Sequence, residues 1–219
     1  MTAQYQAIAP GRDSVEHVTS TGPSGLLLGR GPGGPVALRM FRPQPTRLYL
    51  AVPEYMQWLI AFRAMAIGAH ISVIAPDHRE WLALADVVRA CGGTIDLLRS
   101  TENIPGQGRP FRPSLIVDEM DAVQPTHRLG AWQAVARIGD ASSNKAVGEL
   151  RNSDVAIVTP LDGKTGENLR RAYALPASQV KAASDLGETE VALASVRRLA
   201  RVTVPPSPME YRMLFTGNG

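Results

Sequence analysis

The segment Leu115-Ile116-Val117-Asp118-Glu119-Met120-Asp121 places three carboxylates directly after an apolar run of strand character. A strand that delivers acids at its carboxyl end stands where open α/β sheets bind ligands. Carboxylates there can hold Mg²⁺ together with substrate phosphates. A phosphate-binding partner would be sought in Gly163-Lys164-Thr165, which follows the apolar run Val155 to Val158. That loop requires a glycine five residues before the one preceding the lysine, so that backbone N–H groups wrap the anion. Here that position is Val158, Pro160 has no N–H, and Asp162 repels an anion. The segment therefore reads as a strand-to-helix turn with Thr165 as N-cap and Glu167 in the first helical turn.

Other candidate chemistry is thinner. Gly29-Arg30-Gly31-Pro32-Gly33-Gly34 links two apolar runs instead of opening a helix, so it lacks the helix N-terminus that a pyrophosphate site needs. His17, His70, His78 and His127 show no ligand spacing, and no metal site or cofactor is called for. There is no nucleophile-elbow motif. Asp77 and Asp118 both follow strand candidates, where a carboxylate pair could serve acid–base chemistry. The single cysteine, Cys91, permits no intramolecular disulfide and reads as a small buried hydrophobe at a helix end. One charge feature remains. Between His17 and Pro53 the only charged side chains are Arg30, Arg39, Arg42 and Arg47. Of these, Arg39, Arg42 and Arg47 are the candidate contact residues for a protein partner or an anionic lipid surface.

The elements that must position these residues come from a chain of 219 residues, which is one domain or a domain with a small appendage at ~150 residues per domain. Apolar residues make up 44%, enough for a core. A net charge of +3 is too small an excess for nucleic-acid binding. No uninterrupted apolar run approaches the ~20 residues of a membrane span; the longest candidate, Leu59 to Ala75, contains Arg63 and His70. Met1 to Ala9 has neither a basic nor an apolar leader region, so no signal peptide is expected, and the single cysteine fits a reducing cytoplasm.

Residues 1–24 read as a flexible N-terminal arm. Leu26 to Leu28 and Val36 to Phe41 form a hairpin. Arg47 to Val52, His70 to Ala75 and Thr94 to Leu98 are strands, with helices from Pro53 to Ile67 and from His78 to Cys91 between them. Short connections in that order imply right-handed crossovers and a parallel sheet. Beyond a loop at Ser100 to Pro113, Leu115 to Val117 and Val155 to Val158 are further strands, and Ala131 to Ile138 alternates as an antiparallel strand would. Helices follow around Ser143 to Leu150, Gly166 to Ala174 and Pro176 to Ala183. The terminal strands Glu190 to Ser195 and Arg198 to Val204 lead into a tail. The fold class is α/β: a three-layer, mostly parallel Rossmann-like sheet with helices on both faces, preceded by a β-hairpin and ending in short antiparallel strands. Residues 25–215 form a single domain, with 100–113 as the place where a sub-lobe boundary would fall.

The stretch from Leu26 to Ala75, with its hairpin running into Phe41-Arg42-Pro43 and its helix containing Ala61-Phe62-Arg63-Ala64, resembles the cytosolic domain of EccE, a component of actinobacterial type VII (ESX) secretion. Ser153 to Leu175 and the terminal hairpin ending in Pro206-Ser207-Pro208 resemble the same family. The resemblance spans roughly residues 25–215 and carries over no catalytic residue. It implies a non-enzymatic structural role beside a membrane-embedded complex. The implied partners are an FtsK-like ATPase and the membrane subunits, and the implied location is the cytoplasm at the inner face of the membrane. Family members carry transmembrane helices before this domain, and this sequence shows none. The rival reading is a nucleotide- or sugar-nucleotide-dependent transferase with a divalent ion held by Asp118, Glu119 and Asp121.

Overall fold

A computed structural model describes residues 25–216; the N-terminal arm expected at 1–24 lies outside the described residues. A hairpin of β1 (Leu26–Gly31) and β2 (Gly34–Leu38) leads into β3 (Thr46–Ala51), α1 (Glu54–Ala66), β4 (His70–Ile74), α2 (Arg79–Ala90) and β5 (Thr94–Leu98). The second half supplies β6 (Ser114–Asp118), β7 (Gln133–Ile138), α3 (Ala146–Arg151), β8 (Val155–Val158), α4 (Gly163–Tyr173) and α5 (Ala177–Ala182). It closes with β9 (Glu190–Ser195), β10 (Arg198–Thr203) and α6 (Pro208–Phe215). All ten strands join one sheet in the order β2-β1-β10-β9-β8-β3-β7-β6-β4-β5. From β8 to β5 the pairings are parallel, and from β8 outward to β2 they are antiparallel. Both halves of the chain extend the same sheet.

Alternation along the strands sorts the two faces. Leu48 and Leu50 of β3 enter a core shared with Met56, Leu59 and Ile60 of α1, Trp81 and Leu84 of α2, and Leu214 of α6. Tyr49 points the other way, among Leu150 of α3, Leu169 and Tyr173 of α4, and Ala192 and Ala194 of β9. Over β4, β6 and β7 this second face is closed by loops instead: Ile74, Ile116 and Val135 pack with Val123, Ile104 and Leu129. Helix α1 forms because Pro53 and Glu54 suit its first turn and its apolar residues recur at three and four. It stops where Gly68, at φ 91°, allows the Ala69 N–H to reach the Ala64 carbonyl. Among the described residues no helix is long and apolar enough to cross a membrane.

Three expectations need correction. Strand β7 is parallel, not antiparallel: it lies between β3 and β6, with Thr46 opposite Ala134 and Ser114 opposite Gln133. Residues 119–132 return the chain to the starting edge of the sheet, and side-chain alternation carries no information about strand direction. Cys91 is exposed, because it occupies the C-cap of α2 on the solvent side. The tail contains a helix, α6, whose Ser207 and Glu210 form a reciprocal capping box with Pro208 in the first turn.

That same Glu210 fastens α6 to α1. Arg63 Nε and Nη2 meet its two carboxylate oxygens at 2.7 and 2.9 Å, with both side chains largely buried. Arg63 also donates to the carbonyls of Leu28 (2.6 Å) and Pro205 (2.9 Å). Burial alone would raise the Glu210 carboxyl, but the Arg63 guanidinium and the Ser207 N–H outweigh it and hold the group below its ordinary value. Arg63→Ala should therefore cost about 3 kcal/mol, read from chemical denaturation. The deficit of Glu210→Gln should be full above the ordinary glutamate range. It should shrink as pH falls through the depressed value, where native Glu210 is protonated too. A deficit independent of pH would count against this coupling.

Candidate functional site

The chain leaves β3 through α1 toward β4 on one side, whereas β7 connects through α3 to β8 on the other side of β3. Connections thus diverge at the carboxyl ends of β3, β7 and β8, which is the topological switch point of the sheet. A crevice of about 360 Å³ opens there. Its floor and walls are Ala51 and Val52, Gly139 to Ser142, Val158 to Pro160, and Asp162 with Thr165.

Each wall has a local cause. The Gly139 N–H donates to the Leu50 carbonyl and the Thr159 N–H to the Ala51 carbonyl, so both flanking loops start in register with β3. Gly139 passes over the buried ring of Tyr49; a Cβ there would lie 2.5 Å from the Tyr49 hydroxyl. Asp140 then folds its own loop, with Oδ1 accepting the Ser142 N–H (2.8 Å) and hydroxyl (2.7 Å). Asp162 is the N-cap of α4 and accepts the Thr165 N–H at 2.6 Å. The expected cap, Thr165, lies inside the helix; Asp162 wins because its carboxylate satisfies an orphan donor that Thr165 itself supplies.

The electrostatics follow from these bonds. The Ser142 hydroxyl and N–H, with Lys164 nearby, hold the Asp140 carboxyl below its ordinary value. The Thr165 N–H does the same for Asp162, again with Lys164 adding to it. Both carboxylates are ionised at neutral pH, and no basic side chain among the described residues lines the crevice. It suits groups that offer hydrogen-bond donors or positive charge. The first turn after β3 provides no phosphate cradle: Pro53 has no N–H and Glu54 occupies the start of α1. Burial, and Glu80 beside it, raise the Glu54 carboxyl.

The acids singled out in the sequence do not converge. Asp118 is buried, and its oxygens accept the N–H groups of Met120 (3.0 Å), Ala122 (3.0 Å) and Val123 (2.8 Å). Glu119 accepts the Trp81 indole N–H at 2.8 Å, and burial raises its carboxyl. Asp121 turns to Arg137, at a backbone φ of 54°. Among the described residues no group of three or more His, Cys, Asp and Glu could hold a metal ion. The metal-dependent transferase reading is corrected accordingly: Asp118 is consumed in shaping its own loop. Asp77 binds Arg79, so it forms no pair with Asp118.

Of the arginines, Arg39 is exposed. Arg42 bonds Thr46 (2.9 Å) and pairs with Asp154 (3.5 Å). Arg47 donates to the carbonyls of Val123, Gln124, Pro125 and His127, tying the 123–127 loop to β3. The crevice residues Gly139, Asp140, Ser142 and Asp162 were missed in the sequence. Their signal was an Asp at each strand end followed by a small hydroxyl residue two or three positions on.

The fold and site define a mostly parallel α/β sheet with a ligand-sized crevice at its switch point. No family model matches the chain, and no curated protein matches its sequence. Among solved structures it is similar to VirB4 of Thermoanaerobacter pseudethanolicus, at TM-score 0.59 and 9% identity, over 87% of this chain and 98% of that one. It is also similar to the genome packaging NTPase B204 of Sulfolobus turreted icosahedral virus 2 in complex with AMP, at TM-score 0.43 and 8% identity, over 71% and 94%. At these identities the likeness is one of fold. The VirB4-like fold nevertheless corrects the sequence-based expectation of a non-enzymatic, EccE-like structural component.

Asp118→Ala should strand three backbone donors and cost about 3 kcal/mol, with no change in any response to Mg²⁺. Arg47→Glu should lower the thermal midpoint measurably, because it cuts the 123–127 loop from β3. An unchanged midpoint would remove that structural role.

Proposed function

We propose that this chain binds a nucleotide in the switch-point crevice. The observation that carries the reading is the crevice's position, at the carboxyl ends of β3, β7 and β8 where the connections diverge. Doubly wound sheets bind nucleotides at that place. A volume of about 360 Å³ lies in the range that encloses a small ligand. The VirB4-like fold supports the same reading.

The lining indicates which end of the ligand enters. Asp140 and Asp162 are ionised acceptors, suited to ribose hydroxyls or to the amino group of a base. The phosphates stay outside the acidic walls, and Lys164, whose charge both carboxylates feel, is the cation placed to meet them. Recognition thus begins with the nucleoside.

Thermal denaturation in the presence of AMP, ADP, ATP and GTP tests this directly. At a hundred times its Kd a bound nucleotide should add about 2.7 kcal/mol of stability, whereas inorganic phosphate should add little. Asp140→Ala should fold and weaken that nucleotide about tenfold or more, the loss of a charged hydrogen bond. No shift with any nucleotide, or an Asp140 variant that binds unchanged, would sink the reading.

A further inference from the structure

The link between β5 and β6 makes a tight turn, Arg109-Pro110-Phe111-Arg112, in which Arg109 and Arg112 exchange backbone hydrogen bonds of 3.0 Å in both directions. Pro110 fixes the backbone before the ring. The base of the turn is anchored: the Gly108 N–H donates to the Ala131 carbonyl (2.9 Å), and the Pro113 carbonyl accepts the His70 N–H (2.8 Å). Gly108 is required there, since a Cβ would lie 2.3 Å from the Trp132 carbonyl oxygen. On this rigid support Phe111 is 76% exposed, and Ile67 at the end of α1 is exposed nearby, beside a Gly68 that faces the Phe111 carbonyl.

A single exposed apolar side chain is ordinary. Its setting here is not. Arg109 and Arg112 flank the ring, both are exposed, and neither pairs with a carboxylate among the described residues. A stiff aromatic between two unpaired guanidinium groups matches a surface that is apolar beneath a layer of negative charge. An anionic bilayer has that profile: the acyl boundary takes the ring, and the headgroup phosphates take the arginines. We propose that the Arg109–Arg112 turn docks this protein on an anionic membrane surface. The turn lies at the amino-terminal edge of the parallel strands, so docking leaves the crevice at the opposite edge open.

Co-sedimentation with lipid vesicles tests it. The chain should bind vesicles of phosphatidylcholine and phosphatidylglycerol in equal parts at low salt, ignore pure phosphatidylcholine, and come off when salt screens the arginines. Phe111→Ala should weaken binding about tenfold or more, and Arg109→Ala or Arg112→Ala about fivefold each. All three variants should keep the native thermal midpoint, since the side chains are exposed. Failure to sediment, equal sedimentation with neutral vesicles, or indifference to the Phe111 change would overturn the proposal. So would binding to soluble polyglutamate without binding to vesicles, which would assign the turn to an acidic protein.

Discussion

The burial of Tyr49 constrains much of what surrounds the crevice. It sits in the middle of β3, the strand that the chain departs from in one direction and returns past in the other, and its ring has no solvent contact. A hydroxyl in that position needs a partner, and Glu149 of α3 accepts it at 3.2 Å. Burial and this carboxylate together push the tyrosine far above its ordinary value, so it stays neutral. Glu149 in turn takes the Arg137 guanidinium at 2.9 Å, and Arg137 also holds Asp121. The chain then has to cross the phenol two residues after Arg137, and only a residue without a side chain passes. Gly139, Asp140 and the crevice wall therefore stand where they do because a tyrosine was buried beneath them.

A ten-stranded sheet has two edges and a long seam, and each is managed by specific groups. At one edge β2 carries Pro35, which removes a ladder donor. At the other, His70 reaches across from β4 to Thr94 (2.8 Å) and Asp96 (3.0 Å) of β5, closing that strand against its neighbour. Between the antiparallel wing and the parallel body, Arg63 bonds β1, the segment before α6, and α6 itself. The first and last described elements are joined through one guanidinium on α1.

The run from β3 to β5 was legible because each strand is a short, mostly apolar run and each helix carries a clear apolar stripe with glycine or proline at its ends. The orientation of β7 was not, since a strand's alternation is the same in either direction. Helix α6 was overlooked although Ser207-x-x-Glu210 is a capping box, because Pro205 and Pro206 read as the end of regular structure. The acids at 118, 119 and 121 looked like one site because they are close in sequence. In space they diverge: one turns inward to its own backbone, one to an indole, one to an arginine. The crevice, by contrast, gathers residues from near 51, 140 and 160, and nothing in a linear reading brings those three segments together except the topology itself.

The distribution of charge follows from the same topology. In a parallel sheet crossed by helices, α1, α2 and α4 begin at the carboxyl edge, where their positive ends attract anions. Glu54, Glu80 and Asp162 already occupy those ends. The dipoles that would grip a phosphate are thereby spent on the protein's own carboxylates, which leaves the carboxyl edge acidic and selective for donors. At the other edge α1, α2 and α3 end, and Arg63, Arg89 and Arg151 fill their last turns, Arg63 paired with Glu210. Arg42, Arg109 and Arg112 flank strand starts on that side. The acidic character of the carboxyl edge thus follows from α1, α2 and α4 all beginning there, while Arg109 and Arg112 lie at the opposite edge.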